Sequence, residues 1–243
     1  MKYLYRVQYN DVDTKMRLRP YVLESWILDT AGQASETDGV GLKYLSSLGL
    51  VWVITSLNAE LHYMPTIDET IEIESWVEEN AHRLTLRNFR ITMGKEQIGL
   101  VKSTWAIIDL KTRASTDVFW QRPFLTQPLG ETIRLNRTRH SCLANEDDYA
   151  QGSWEHQIEF SEIDFNRHCN SCKYMEFMFN AFHYEAPLKG FSIRYAHELF
   201  LGERIRVDWC HSNSARKTDY KVLFLPEDID STPVNCCTGS FTY

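Results

Sequence analysis

Residues 163–170 read Ile163-Asp164-Phe165-Asn166-Arg167-His168-Cys169-Asn170, and a Tyr/Met/Phe-rich stretch with helical spacing follows at once. Asp164, Asn166 and His168 stand two apart. On an extended segment successive side chains alternate faces, so this spacing predicts all three on one side. A carboxylate, an amide and an imidazole pointing together supply an orienting group, a hydrogen-bond donor and a proton carrier, the parts that acyl transfer needs. The same residues also suit a polar turn capping the next helix, where Asp and Asn are favoured.

Around this stretch the chain is ordinary globular protein: 243 residues, 43% hydrophobic and 24% charged, room for one large domain or two small ones. A net charge of -7 argues against a general nucleic-acid binder, which carries a basic surface to meet phosphates. No stretch approaches the ~20 apolar residues that spanning a bilayer requires. Met1 to Tyr9 alternates like a strand and lacks the apolar core of a secretory signal, so a cytoplasmic protein is expected. Cys142, Cys169, Cys172, Cys210, Cys236 and Cys237 are then expected to be reduced packing residues. Cys169 and Cys172 have redox spacing, but no βαβ pattern surrounds them and no second pair completes a zinc site. No metal and no cofactor are expected. Ser and Gly do not combine into a nucleophile elbow, and no phosphate-cradling glycine loop is present.

Working outward, the order of elements occurs twice. A strand over Tyr3 to Tyr9 precedes a helix begun near Pro20, and then come strand patterns over 50–55, 57–63, 70–78, 84–93 and 98–109, with a hairpin turn at Gly94-Lys95-Glu96. Val7 to Asp13 aligns with Ile158 to Asp164 at an offset of 164 − 13 = 151. Ala59-Glu60-Leu61 aligns with His197-Glu198-Leu199 at 198 − 60 = 138, and Ser103-Thr104-Trp105 with Gly239-Ser240-Phe241 at 241 − 105 = 136. Each copy is a helix plus an antiparallel meander, a unit that buries its helix against one sheet face. The expected division is 1–122, a polar linker over 123–149, and 150–243.

The copies differ where chemistry would lie. Asp13, Lys15 and Arg17 stand where the second copy has Asp164, Asn166 and His168, so only the second can transfer protons. Glu198, in Ile193-Arg194-Tyr195-Ala196-His197-Glu198-Leu199, reads as a central-strand carboxylate suited to act as a base, with His197 on the opposite face and Glu203 a solvent-facing strand residue.

These stretches resemble the acyl-ACP thioesterases of plants and bacteria. Residues 163–174 follow that family's D-x-N-x-H-x-N-x-x-K-Y motif, and Tyr195-Ala196-His197-Glu198-Leu199, Leu50 to Thr55 and Ser103-Thr104-Trp105 resemble further family segments. The resemblance implies an α+β architecture of two tandem hotdog units, with catalysis by Asp164, Asn166, His168 and Glu198 in the second. It implies an acyl chain running into the first unit, where Trp26, Trp52 and Ile54 are candidate lining residues. It also implies an acidic acyl carrier protein as partner, met by a local basic patch that includes Arg167, Lys173 and Arg194, with Lys189, Arg204, Arg206, Arg216 and Lys217 nearby in sequence. Plant relatives often carry a cysteine just after the glutamate; Leu199 stands there, which closes a covalent cysteine route at that position. The lack of a plastid transit peptide before the first strand fits a bacterial origin. Rival readings are an acyl-CoA thioesterase or a dehydratase of the same fold, and a non-catalytic acyl-binding module. The repeat supplies in one chain what single hotdog units obtain by dimerising, and a further homodimer stays open.

Overall fold

The computed structural model describes residues 1–81, 83–117, 129–135, 149–182, 185–228 and 230–243. Cys142, His82, His140, His183 and most of the linker expected at 123–149 lie outside them. The chain divides into two compact units, Met1–Asn136 and Arg137–Tyr243.

In the first unit, β1 (Lys2–Arg6) leads to a single 3-10 turn, Tyr9–Asp11, and then to α1 (Pro20–Thr37). Pro20 sits in the first turn, where its missing N–H costs nothing and its fixed φ suits a helix. Leu23, Ile27, Ala31 and Ala34 recur at three- and four-residue spacing and form the buried stripe of α1. After α2 (Leu42–Ser47) come β2 (Leu50–Leu61), β3 (Thr70–Ala81), β4 (Leu84–Met93), β5 (Glu96–Asp109) and the short β6 (Ser115–Thr116). The antiparallel order is β1-β3-β4-β5-β2, with β6 on β5. Ile71, Ile73, Phe89, Ile91, Val101 and Leu57 are buried at alternate positions of four strands. Burying each such side chain is worth about 1.5–3 kcal/mol, which holds helix and sheet together. The two strand patterns read at 50–55 and 57–63 are one strand, kinked by a bulge between Ile54 and Ser56. Gly94 takes φ 61 at the two-residue turn joining β4 to β5, a conformation that costs glycine little.

Residues 129–135 belong to this first unit. Gly130 N donates to Val77 O (2.7 Å), continuing along the β3 edge where β1 stops at the bond from Ser75 N to Met1 O (2.8 Å). The segment then crosses the sheet face away from α1. The Glu131 carbonyl accepts from Trp76 Nε1 (2.7 Å) and Asn88 Nδ2 (3.2 Å), its carboxylate pairs with Arg90, and Ile133 is buried.

The second unit repeats the plan. β7 (Tyr149–Gln157), the 3-10 turn Phe160–Glu162 and α3 (Ser171–Ala181) precede β8 (Gly190–Tyr195), β9 (Arg204–Ser212), β10 (Lys217–Leu225) and β11 (Val234–Thr242). Their order, β8-β11-β10-β9-β7, matches β2-β5-β4-β3-β1 strand for strand. The offset of 151 holds in contacts as well as residues: Tyr5 stacks on Trp26 at 5.1 Å, and His156 meets Phe177 at 5.2 Å. α3 lies close to β11, because a Cβ added to Gly239 would come within 2.5 Å of Met178 Sδ.

Candidate active site

The signature at 163–170 is a tight turn, not the extended segment its spacing suggests. Ile163 and Cys169 form an antiparallel bridge, Asp164 N donates to His168 O (2.8 Å), and Arg167 N donates to Asp164 O (3.0 Å). Arg167 takes a left-handed φ of 65. Inside the turn Asp164 Oδ1 accepts from Asn166 N (2.8 Å) and His168 N (3.3 Å). An aspartate that bonds its own downstream amides offers the backbone an alternative to the extended form, and here that alternative prevails. Side chains 164, 166 and 168 therefore do not share one strand face.

The first unit builds the same turn. Val12 bridges Leu18, Asp13 N donates to Arg17 O (2.8 Å), Asp13 Oδ1 accepts from Lys15 N (2.8 Å) and Arg17 N (2.9 Å), and Met16 has φ 60. The aspartate is thus part of a duplicated scaffold. What differs is the residue presented at the fourth position after it. Arg17 folds back onto Asp13 Oδ2 through Nε (3.0 Å) and Nη2 (2.9 Å). His168 instead directs Nδ1 at Glu198 Oε1, 3.3 Å away, with Phe200 packed edge-on at 5.0 Å. Orientation of the imidazole, expected of Asp164, falls to Glu198; Asp164 acts on His168 through the main chain.

Glu198 is not on a central strand. β8 ends at Tyr195, and the next two amides, Ala196 N (2.9 Å) and His197 N (3.0 Å), both donate to Cys236 O. Two successive amides on one carbonyl break the alternation. His197 is exposed, while the Glu198 and His168 side chains keep 32% and 23% of their surface, enough to admit water. Cys169 N donates to Leu199 O (2.8 Å), tying this segment to the residue after His168. Glu203 is a turn-former, its Oε2 accepting from Phe200 N (2.8 Å).

Glu198 does not occupy the position of Glu60 in the repeat. Phe200 N to Glu203 Oε2 (2.8 Å), Gly202 N to Ile158 O (2.9 Å) and Ile158 N to Glu203 O (2.9 Å) repeat Thr66 N to Glu69 Oε2 (2.7 Å), Asp68 N to Val7 O (3.0 Å) and Val7 N to Glu69 O (2.9 Å). That sets the offset at 203 − 69 = 134, so Glu198 corresponds to Met64 (198 − 134 = 64), which is buried. Glu60 lies within β2 opposite Leu100.

Asn166 is exposed at the turn. At the start of α3, Asn170 Oδ1 accepts from Cys172 N (3.0 Å) and the Asn170 carbonyl from Lys173 N (2.9 Å), so these two amides are engaged within the helix cap. Burial pushes the Cys169 thiol far up and the Cys236 thiol up to about 11, so neither supplies a thiolate near neutrality. Trp26 stacks on Tyr5 of β1, whereas Trp52 and Ile54 lie in β2, four strands from β1 in the order β1-β3-β4-β5-β2. Trp52 Nε1 donates to Val40 O (2.8 Å), its ring packing with Leu45, Leu50 and Ile107. Of the basic residues, Lys173 is paired with Glu176, Arg204 with Glu155, Arg206 with Asp208 and Lys217 with Asp219. Arg167 and Arg194 are exposed, and neither makes an ion pair among the described residues. Among those residues no helix is long and apolar enough to cross a membrane.

Two helix-on-antiparallel-sheet units in succession, one of them bearing a His–Glu pair beside a duplicated Asp turn, define a tandem hotdog protein with one candidate site. The N-terminal domain of acyl-ACP thioesterases matches residues 1–120 and the C-terminal domain residues 145–231. The chain belongs to the acyl-ACP thioesterase family. Its fold is similar to that of an acyl-ACP thioesterase from Bacteroides thetaiotaomicron, with a TM-score of 0.82 at 23% identity, covering 100% of this chain and 96% of that one. It is also similar to the 12:0-ACP thioesterase from Umbellularia californica, with a TM-score of 0.79 at 14% identity and coverage of 100% and 96%. Over 136 residues, 53% of this chain, it is 26% identical to the chloroplastic acyl-[acyl-carrier-protein] hydrolase FATB3 of Cuphea viscosissima. The matched stretch spans 32%, about a third, of that relative's length.

Proposed function

We propose that this chain hydrolyses the thioester of fatty acyl-ACP, releasing a free fatty acid and the carrier protein, with His168, Glu198, Asn166 and Asp164 as its site. The observation that carries this reading is the 3.3 Å approach of His168 Nδ1 to Glu198 Oε1, on a turn whose copy in the first unit carries Arg17 turned back on its own aspartate. Glu198 accepts a hydrogen bond from Nδ1–H, which keeps that proton on Nδ1 and leaves the Nε2 lone pair to take a proton from water. The water oxygen bonds to the thioester carbon, the carbonyl becomes an oxyanion, and the imidazolium so formed is stabilised by the Glu198 carboxylate. The tetrahedral centre then expels the thiolate, which receives the proton from Nε2, giving carboxylic acid and thiol. The Asn166 amide, exposed two residues before His168 on the same turn, serves as a donor to the carbonyl oxygen; one such donor is worth about 3 kcal/mol in the transition state. A thioester needs less activation than an amide, which suits a site that uses water directly.

The carrier is acidic, and Arg167 and Arg194, exposed in the second unit, are basic side chains suited to meet it. Replacing both by Glu is expected to raise KM for acyl-ACP about tenfold, with the effect shrinking as salt is added, while kcat on acyl-CoA stays within about twofold. The same assays decide the substrate: kcat/KM on acyl-CoA equal to or above that on acyl-ACP would sink the carrier-protein reading. Fatty acid synthesis in a bacterial cytoplasm is the setting this activity would serve. Light scattering on the purified protein tests for a further homodimer against a mass of 28.5 kDa for one chain.

A further inference from the structure

Glu198 lies beyond the end of a strand, where the ladder no longer holds the chain, yet its two neighbours are both fixed. Leu199 O accepts from Cys169 N (2.8 Å), and His197 O accepts from the Tyr174 hydroxyl (3.0 Å). Tyr174 is in the first turn of α3, its ring buried and set edge-on against Tyr195 at 5.8 Å. Burial raises its pKa far above the usual phenol range, with the Leu199 N–H a smaller opposing influence, so the hydroxyl keeps its proton and donates. The comparison between copies separates fold from chemistry here. Cys169 N to Leu199 O is repeated in the first unit by Leu18 N to Pro65 O (2.7 Å), and the Asp turn is repeated as well. The hydroxyl is not repeated: the offset of 151, which the Tyr5–Trp26 and His156–Phe177 contacts carry into both helices, matches Tyr174 with Leu23. A leucine there fills the core equally well, so packing alone does not call for a phenol.

Resting on the proposed hydrolase reading, we infer that Tyr174 is a positioning residue for that reaction: its hydroxyl holds the His197 carbonyl and so keeps the Glu198 carboxylate against His168. Small displacements of a catalytic group cost rate far more than binding. The test is Tyr174→Phe, which removes the hydroxyl and keeps the ring, beside Tyr220→Phe as control. Tyr220 is a second buried phenol on a backbone carbonyl, that of Phe182 (2.6 Å) at the C-terminal end of α3. Single-turnover assays with enzyme in excess keep slow rates readable. Tyr174→Phe is expected to lower kcat about tenfold or more with KM within about twofold, while Tyr220→Phe leaves kcat unchanged. Introduced into Glu198→Gln, Tyr174→Phe should lower the rate no further, because it acts through that carboxylate. Parent kcat in Tyr174→Phe, an equal loss in Tyr220→Phe, or a full additional loss in the Glu198→Gln background each overturns the inference. A parent protein inactive on acyl-ACP overturns the hydrolase reading itself, whereas an active parent with an unaffected Tyr174→Phe overturns only the positioning role.

Discussion

Glu198→Gln is expected to lower kcat for acyl-ACP hydrolysis by about 100- to 10,000-fold, and His168→Ala by at least as much. Glutamine keeps the shape of glutamate, so the segment at 196–203 should pack unchanged. It removes the negative charge beside Nδ1, so the imidazolium formed on proton uptake loses its stabilising partner. Its amide can also turn an N–H toward Nδ1, which would favour the tautomer with the proton on Nε2 and remove the base. Both side chains are partly exposed, so the folded state should tolerate either change with little loss of stability. If His168 and Glu198 act as one unit, the double variant should be scarcely slower than the worse single one. Steady-state kinetics beside thermal unfolding decide this, and wild-type turnover in Glu198→Gln would end the assignment.

The second large effect concerns the two aspartates. Asp13→Ala and Asp164→Ala each remove the acceptor of two backbone amides in a turn held by the same bonds, at a cost of about 1–2 kcal/mol in each unit, read by urea unfolding. Their effects on rate should diverge. Loosening the Asp164 turn shifts His168, and about 100-fold in kcat is expected to go with it. Asp13→Ala should leave kcat within about twofold, because the side chain it releases is Arg17. Asp164→Asn separates scaffold from charge: the amide oxygen still accepts from Asn166 N and His168 N, so most activity should survive. Loss of activity in Asp164→Asn as deep as in Asp164→Ala would mean that the carboxylate's charge, and not its hold on the backbone, is what matters.

Much of this arrangement can be read from the residues. The 3.6-residue period of Leu23, Ile27, Ala31 and Ala34 marks a helix, strand alternation such as Ile71-Glu72-Ile73-Glu74 marks half-buried strands, and the offset of 151 marks the repeat. The exchange of Arg17 for His168 singles out the second unit as the candidate. The turn at 164–168 is harder to see, because a spacing of two is shared by strands and by aspartate turns. Its left-handed residue is Arg167, not the Gly or Asn that would advertise such a conformation. Glu198 is misplaced by sequence for a different reason. Ala59-Glu60-Leu61 and His197-Glu198-Leu199 look alike, yet the copies differ in length just past the strand, and hydrogen bonds alone reveal where the difference falls. Trp26 and Trp52 are apolar and aromatic in any reading; nothing in their identity says that β1 and β2 stand four strands apart in the order β1-β3-β4-β5-β2.

The segment at 129–135 bears on how the halves could be separated. A first half cut at 122 would leave the β3 edge bare at Val77 and strip the cover from Trp76, Asn88 and Arg90, creating a sticky margin open to pairing with other chains. Carrying the cut to 136 keeps those groups satisfied, which puts the boundary of the first half past the last strand of its own sheet.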